Sequence, residues 1–266
     1  MSDLVTISIE NGVADIRLNR PDKYNALSPE MFEAVVAAGE SVAANRSVRA
    51  VVLSGEGKGF CAGLDFETFT QVKSDGKDVL AEKTDGKTYP NPFQNAAYVW
   101  KQLPIPVIAA LHGSAFGGGM QIALGADIRL AGPDTRLSIM EVKWGLIPDM
   151  AASQTLRDLV RIDVAKELIF TGRIIGAEEA QQLGLITHIC DDPHAEALKM
   201  ANGISQKSPD AILAGKRLLE TTWHGNPVDA FKLEEALQIS LLGSPNQVEA
   251  MKANFEKRAP NFQDPE

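Results

Sequence analysis

Apolar and polar residues alternate across residues 5–18 on both sides of Asn11-Gly12, a turn dipeptide that joins antiparallel strands. The chain is therefore expected to open with a hairpin. The period then lengthens to that of a helix. Ser28-Pro29-Glu30 supplies a capping hydroxyl, a proline at the first helical position and an acid in the first turn, ahead of Phe32, Val35, Val36 and Val42. Residues 49–54 and 106–111 are apolar runs that read as buried strands. Between them, residues 66–98 are polar, with Asp75-Gly76-Lys77 and Asp85-Gly86-Lys87, and predict a mobile surface excursion of the sort that often lines substrate pockets.

Beyond Leu111 the pattern predicts a glycine loop, a helix to about Leu124, and strands near 128–131 and 136–139. A helix-rich stretch over 151–172, a helix over 177–183 and a last strand over 185–190 follow. Everything after that reads as helical, and Ser208-Pro209, Asn226-Pro227 and Ser244-Pro245 mark three helix starts. Alternating strands and helices predict an α/β core over residues 1–200 and a helical region over 201–266. That tail carries Leu213, Leu218, Leu219, Trp223, Phe231, Leu233, Leu237, Ile239, Leu241, Leu242, Met251 and Phe255. One exposed helical layer cannot cover so much apolar surface, so it is expected to pack on another subunit.

Composition narrows the classes of function. With 266 residues, 44% hydrophobic and 23% charged, the chain can bury a full core and is not disordered. Its net charge of −9 argues against nucleic acid as the main partner, because binding phosphate backbones needs a basic face. Cys61 and Cys190 are far apart and lack metal-ligand spacing, which suggests neither a disulfide framework nor a metal site and fits a reducing, cytoplasmic location. There is no basic and apolar leader at Met1-Ser2-Asp3-Leu4 and no 18-residue apolar run, so no membrane segment is expected.

The candidate chemistry lies in two glycine-rich loops, Gly59-Phe60-Cys61-Ala62-Gly63-Leu64-Asp65 and Gly113-Ser114-Ala115-Phe116-Gly117-Gly118-Gly119-Met120, each just past a strand. Such loops can aim backbone N–H groups at one anion, and the second opens a helix whose dipole favours negative charge. Together they point to chemistry on an activated acyl group. Further on, Glu141 and Asp149 lie on a loop flanked by apolar residues, where desolvation raises a carboxyl pKa toward the range in which it both takes and gives a proton.

Other sites fail on spacing. Gly113-Ser114-Ala115-Phe116-Gly117 puts serine one position early for a nucleophile elbow, and Met120-Gln121 stands where a phosphate-binding loop needs Lys-Ser/Thr. The segment Gly55-Glu56-Gly57-Lys58-Gly59-Phe60 lacks the last glycine of a dinucleotide fingerprint. His112 reads as a packed strand-end residue, and Cys61 as a small loop residue rather than a nucleophile.

These motifs resemble the crotonase superfamily, the enoyl-CoA hydratase/isomerase group, over nearly the whole chain. The likeness runs through Leu18-Asn19-Arg20-Pro21, Asn25-Ala26-Leu27-Ser28, Val52-Leu53-Ser54-Gly55, both glycine loops, Phe170-Thr171-Gly172-Arg173 and the segment from Met251 to Arg258. It implies an α/β crotonase-type spiral of stacked β-β-α units with a helical C-terminal region, assembled as a homotrimer or homohexamer. It also implies an acyl-CoA thioester substrate and no cofactor beyond the CoA moiety.

By the same resemblance, the N–H groups of Leu64 and Gly118 hold the thioester oxygen, worth about 3 kcal/mol per donor in other oxyanion holes. Lys23, Ala26, Ala62, Leu64, Asp65 and Lys257 are the expected CoA-binding positions. Hydratases of the family use two glutamates to activate water. The second matches Glu141, but the first matches Gln121, whose amide is no base. Single-glutamate isomerases use the Glu141 position alone, and Asp149 stands where dienoyl-CoA isomerases carry a second acid. The expected activity is therefore double-bond isomerisation by a Glu141 proton shuttle. Hydration is the alternative, and a non-catalytic acyl-CoA binding subunit the second alternative.

Overall fold

A computed structural model describes residues 3–65, 67 and 89–265, and the elements below are numbered among these. The opening hairpin forms as its alternation predicts: β1 (Val5–Glu10) and β2 (Val13–Leu18) pair antiparallel, with Glu10 opposite Val13. Helix α1 (Pro29–Ala43) starts where Ser28 accepts the Met31 N–H, and β3 (Ala50–Gly55) follows.

The main sheet is completed by β4 (Val107–Leu111), β6 (Ile128–Ala131) and β9 (His188–Ile189), in the order β1-β2-β3-β4-β6-β9 and parallel from β2 onward. A second, smaller sheet orders β5 (Ser114–Phe116), β7 (Arg136–Ser138) and β8 (Ile175–Gly176) as β5-β7-β8.

The apolar runs of β3 and β4 reflect burial on both faces. Val51, Leu53, Val107, Ala109 and Leu111 enter the larger core, while Ala50, Val52, Ile108 and Ala110 face a smaller one. The smaller core is closed by α7 (Pro193–Ser205), whose Ala197 and Ala201 let the helix lie close to the sheet. Residue 200, the division expected between core and tail, falls inside this helix.

The expected polar excursion over 66–98 needs one correction. Residues 66 and 68–88 lie outside the described residues, but Pro92–Gln102 is a regular helix, α2. Asn91 and Gln94 form a reciprocal capping box at its start, and Ala96, Ala97, Val99 and Trp100 are buried. This helix packs against α1, with Phe32 and Phe93 edge to face at 5.1 Å.

The helical run expected over 151–172 is broken into α4 (Ala152–Thr155), a short 3-10 turn and α5 (Ile162–Thr171). Helix α3 (Gly118–Leu124) has seven residues, and α6 (Ala177–Gln182) has six. The tail is α8 (Pro209–Thr222), α9 (Pro227–Leu241) and α10 (Pro245–Glu256). Asn226 and Ser244 cap as expected, whereas the Ser208 side chain makes no capping bond. No helix among the described residues is long and apolar enough to cross a membrane.

Candidate functional site

Strands β3 and β4 are parallel neighbours, so the loops leaving their carboxyl ends emerge side by side, the usual ligand position in such sheets. Cys61 of the first loop then bonds the second directly: its N–H donates to Ser114 O and its carbonyl accepts from Phe116 N. Leu27 clamps the other side of the first loop, donating to Gly63 O and accepting from Asp65 N. In a parallel bridge of this kind Leu27 bonds the residues flanking Leu64. The N–H of Leu64 therefore faces away from Leu27.

Gly63 adopts a left-handed φ of +88°, and a Cβ there would lie 2.6 Å from Phe116 O and 3.5 Å from Gly118 N. Only a residue without a side chain brings the loops this close. Gly118 is the first residue of α3, where an N–H has no partner within the helix. The structure thus brings the Leu64 and Gly118 segments together. Because α3 is so short, its contribution at this point is the N–H groups of its first turn rather than a long macrodipole.

Glu141 begins a 3-10 turn, Glu141–Trp144, that follows β7. Its Oε1 would stand 3.4 Å from a Cβ on Gly117, at the junction of loop and α3. That same oxygen accepts from Gln121 Nε2 at 2.6 Å, and Gln121 Oε1 accepts the Met150 N–H at 2.8 Å. Glu141 Oε2 is buried without a hydrogen-bond partner, a state shared among the described residues only by Ser54 Oγ. Burial pushes the Glu141 carboxyl above the ordinary glutamate value, the Asp149 charge adds to this, and hydrogen bonds from its own backbone and Gln121 oppose it.

Asp149 is exposed as a residue, yet partial desolvation raises its carboxyl as well. No cation contributes to its titration, which leaves no sign of a pairing with Lys143. The two acids thus close the ends of a loop whose Val142, Trp144, Leu146 and Ile147 are exposed, Ile147 by 74%.

The other predicted positions are distributed unevenly. Asp65 is buried and its carboxylate accepts from Arg20 Nη1 at 2.6 Å and from Glu67 N, so it fixes the first loop internally. Arg20 also donates to Ala26 O, and Ala62 N donates to Tyr24 O, which ties both alanines to the same corner. Lys23 reaches Glu67 at 2.7 Å on the surface. Lys257 sits in a left-handed cap at the end of α10, on the tail. His112 bonds Gly57 O, and Cys61 is buried with its thiol pushed up to about 12 by desolvation, which does not suit a nucleophile.

Met150 and Leu27, which position Gln121 and Leu64 through backbone groups, carried no chemical signal in the sequence. A cleft of about 750 Å³ lies elsewhere, between the end of α2 and α8–α9, and includes Lys101, Arg217 and Glu220 but none of the residues above.

Comparison with known proteins agrees with this arrangement. The family model described as Enoyl-CoA hydratase/isomerase matches residues 8–265, and the chain belongs to that family. It is 37% identical to enoyl-CoA hydratase EchA19 of Mycobacterium tuberculosis, over 93% of this chain and 92% of that one. It is 29% identical to mouse mitochondrial methylglutaconyl-CoA hydratase, over 94% of this chain and 79% of the other.

Among solved structures, a putative enoyl-CoA hydratase/isomerase from Mycobacterium abscessus superposes with a TM-score of 0.90 at 28% identity, covering 98% of this chain and all of that one (100%). The enoyl-CoA hydratase of Bacillus anthracis gives 0.89 at 27% identity, again over 98% and 100%. The crotonase-type α/β fold with its helical C-terminal region is therefore established, and the chain is an enzyme of the hydratase/isomerase type acting on acyl-CoA thioesters.

Proposed function

We propose that the protein migrates the carbon–carbon double bond of an enoyl-CoA, with Glu141 carrying the proton. Glu141 Oε2 takes a proton from the carbon next to the thioester of a 3-enoyl chain. The electron pair moves into the carbonyl, and the Leu64 and Gly118 N–H groups stabilise the resulting enolate. Return of the proton at the far carbon leaves the 2-enoyl product, and Asp149 is the second acid available for that delivery. Ala26, Ala62 and the loop backbone at Leu64 and Asp65 form the CoA-facing corner, with Lys23 and Lys257 as cations for its phosphates.

The observation that carries this reading is Glu141 Oε2, a buried carboxylate oxygen with no partner on a group whose pKa is raised. Isomerisation needs one such group. Hydration needs water held and deprotonated, and Gln121, where the resemblance places the other acid, is an amide that takes no proton, with one N–H on Glu141 and its oxygen on the Met150 N–H.

Hydration remains the second reading because the relatives' names favour it: EchA19 and the methylglutaconyl-CoA enzyme are both called hydratases. Assay of 3-enoyl, 2-enoyl and 3,5-dienoyl thioesters separates the two. Conversion of the 3-enoyl compound to the 2-enoyl one supports migration, whereas reaction of the 2-enoyl compound alone, giving a 3-hydroxy product, sinks it. The exposed apolar tail supports assembly into a homotrimer or homohexamer. The two free cysteines suit a reducing compartment such as the cytoplasm.

A further inference from the structure

Gln121 is 1% exposed and is engaged at both ends of its amide. Its partners fix which end is which, since an ionised carboxylate only accepts and a backbone N–H only donates. We infer that Gln121 is a positioning residue, a two-ended brace that ties down Glu141 Oε1, leaves Oε2 as the proton-exchanging atom, and sets the spacing between Glu141 and the Asp149–Met150 segment. The inference rests on the role given to Glu141 above.

Other residue types would alter this brace in definite ways. A hydrophobic side chain leaves the Met150 N–H without its acceptor and Glu141 Oε1 without its donor. An asparagine is one methylene too short to span both. A second glutamate would bring another carboxyl to the 2.6 Å contact with Glu141, so one of the pair would have to retain a proton. At that distance no water fits between the two side chains. The contact therefore orients the acid directly rather than through a water.

The other charges near Glu141 are few. Asp149 raises its pKa, while Lys143, on the same 3-10 turn, lies with its Cγ against Gly172. Removing the Gln121 donor leaves burial and Asp149 acting against one hydrogen bond fewer. The Glu141 carboxyl then ionises only at higher pH.

The test is exchange of the α-protons of an acyl-CoA in D₂O, followed against pH for the wild type, Gln121→Met and Gln121→Glu, together with KM. For Gln121→Met the expected result is a loss of about 10–100-fold at neutral pH, KM within about threefold, and an acid limb displaced by about tenfold in proton concentration toward higher pH. Gln121→Glu donates only while the pair keeps one proton, so its exchange should gain a basic limb, set by loss of that proton, that the wild type lacks. It keeps the size and the Met150 contact, and carries the test if the methionine variant does not fold. Profiles and rates like the wild type's in the variants overturn the brace alone. A wild type that exchanges nothing overturns the role of Glu141 itself.

Discussion

The Glu141 carboxyl is raised by burial and by Asp149, so the folded protein binds that proton more tightly than the unfolded chain does. The stability this lends is full below the ordinary glutamate value of 4.5 and is lost as the pH rises through the higher folded value. Glu141→Gln should therefore be more stable relative to the wild type at pH 7 than at pH 4, with about 2–4 °C in Tm for each kcal/mol regained. Calorimetry at the two pH values measures the difference, and its absence would mean that the carboxyl is not desolvated. The same substitution should reduce α-proton exchange by about 10²–10⁴-fold while acyl-CoA binding stays within a few-fold. A carboxyl destabilised in this way suits a general acid or base, and this is the ground for the role proposed for Glu141.

Elements differ in how much of this a sequence exposes. The capping box of α2 predicts that Asn91→Ala costs about 1 kcal/mol, a fall of about 2–4 °C in Tm by thermal unfolding. An unchanged Tm would mean that the cap is dispensable. That box is spelled out in Asn91-Pro92 and Gln94, yet the surrounding polar residues conceal it, because only four positions of the helix are fully buried. The hairpin, β3 and β4 were legible because their alternation or continuous apolarity mirrors their two faces. Strand β9 shrank to His188–Ile189 because Leu185 and Ile186 send their N–H groups back to Ala180 O.

The glycine loops and Glu141 could be read from residue types and from the family resemblance. The Met150 N–H and the free Oε2 could not, since backbone direction and amide orientation leave no trace in composition. Gly63→Ala tests the loop junction: its φ of +88° and the 2.6 Å approach to Phe116 O should force the loops apart. Exchange should fall by about 100-fold, and full activity would show that the junction tolerates a side chain.

At the scale of the whole molecule, the tail is fastened to the core yet leaves its own apolar surface uncovered. Lys216 of α8 reaches Asp127 Oδ2 at 2.7 Å and Ile105 O at 3.0 Å, and the same Asp127 oxygen accepts the Val107 N–H where β4 begins. Beyond that tie, α9 buries none of its residues, and Trp223, Phe231, Ile239, Leu242, Met251 and Phe255 are exposed, Phe255 by 82%. A lone chain in water would carry this as a standing liability, because apolar surface of such extent on a monomer marks an interface. The homotrimer or homohexamer proposed above predicts three or six copies of the 28.6 kDa chain in sedimentation. Phe231→Asp combined with Phe255→Asp should lower that mass without melting the α/β core, which neither side chain enters. A wild type that sediments as a single chain at micromolar concentration would remove the reason for the tail's apolar face and overturn the assembly.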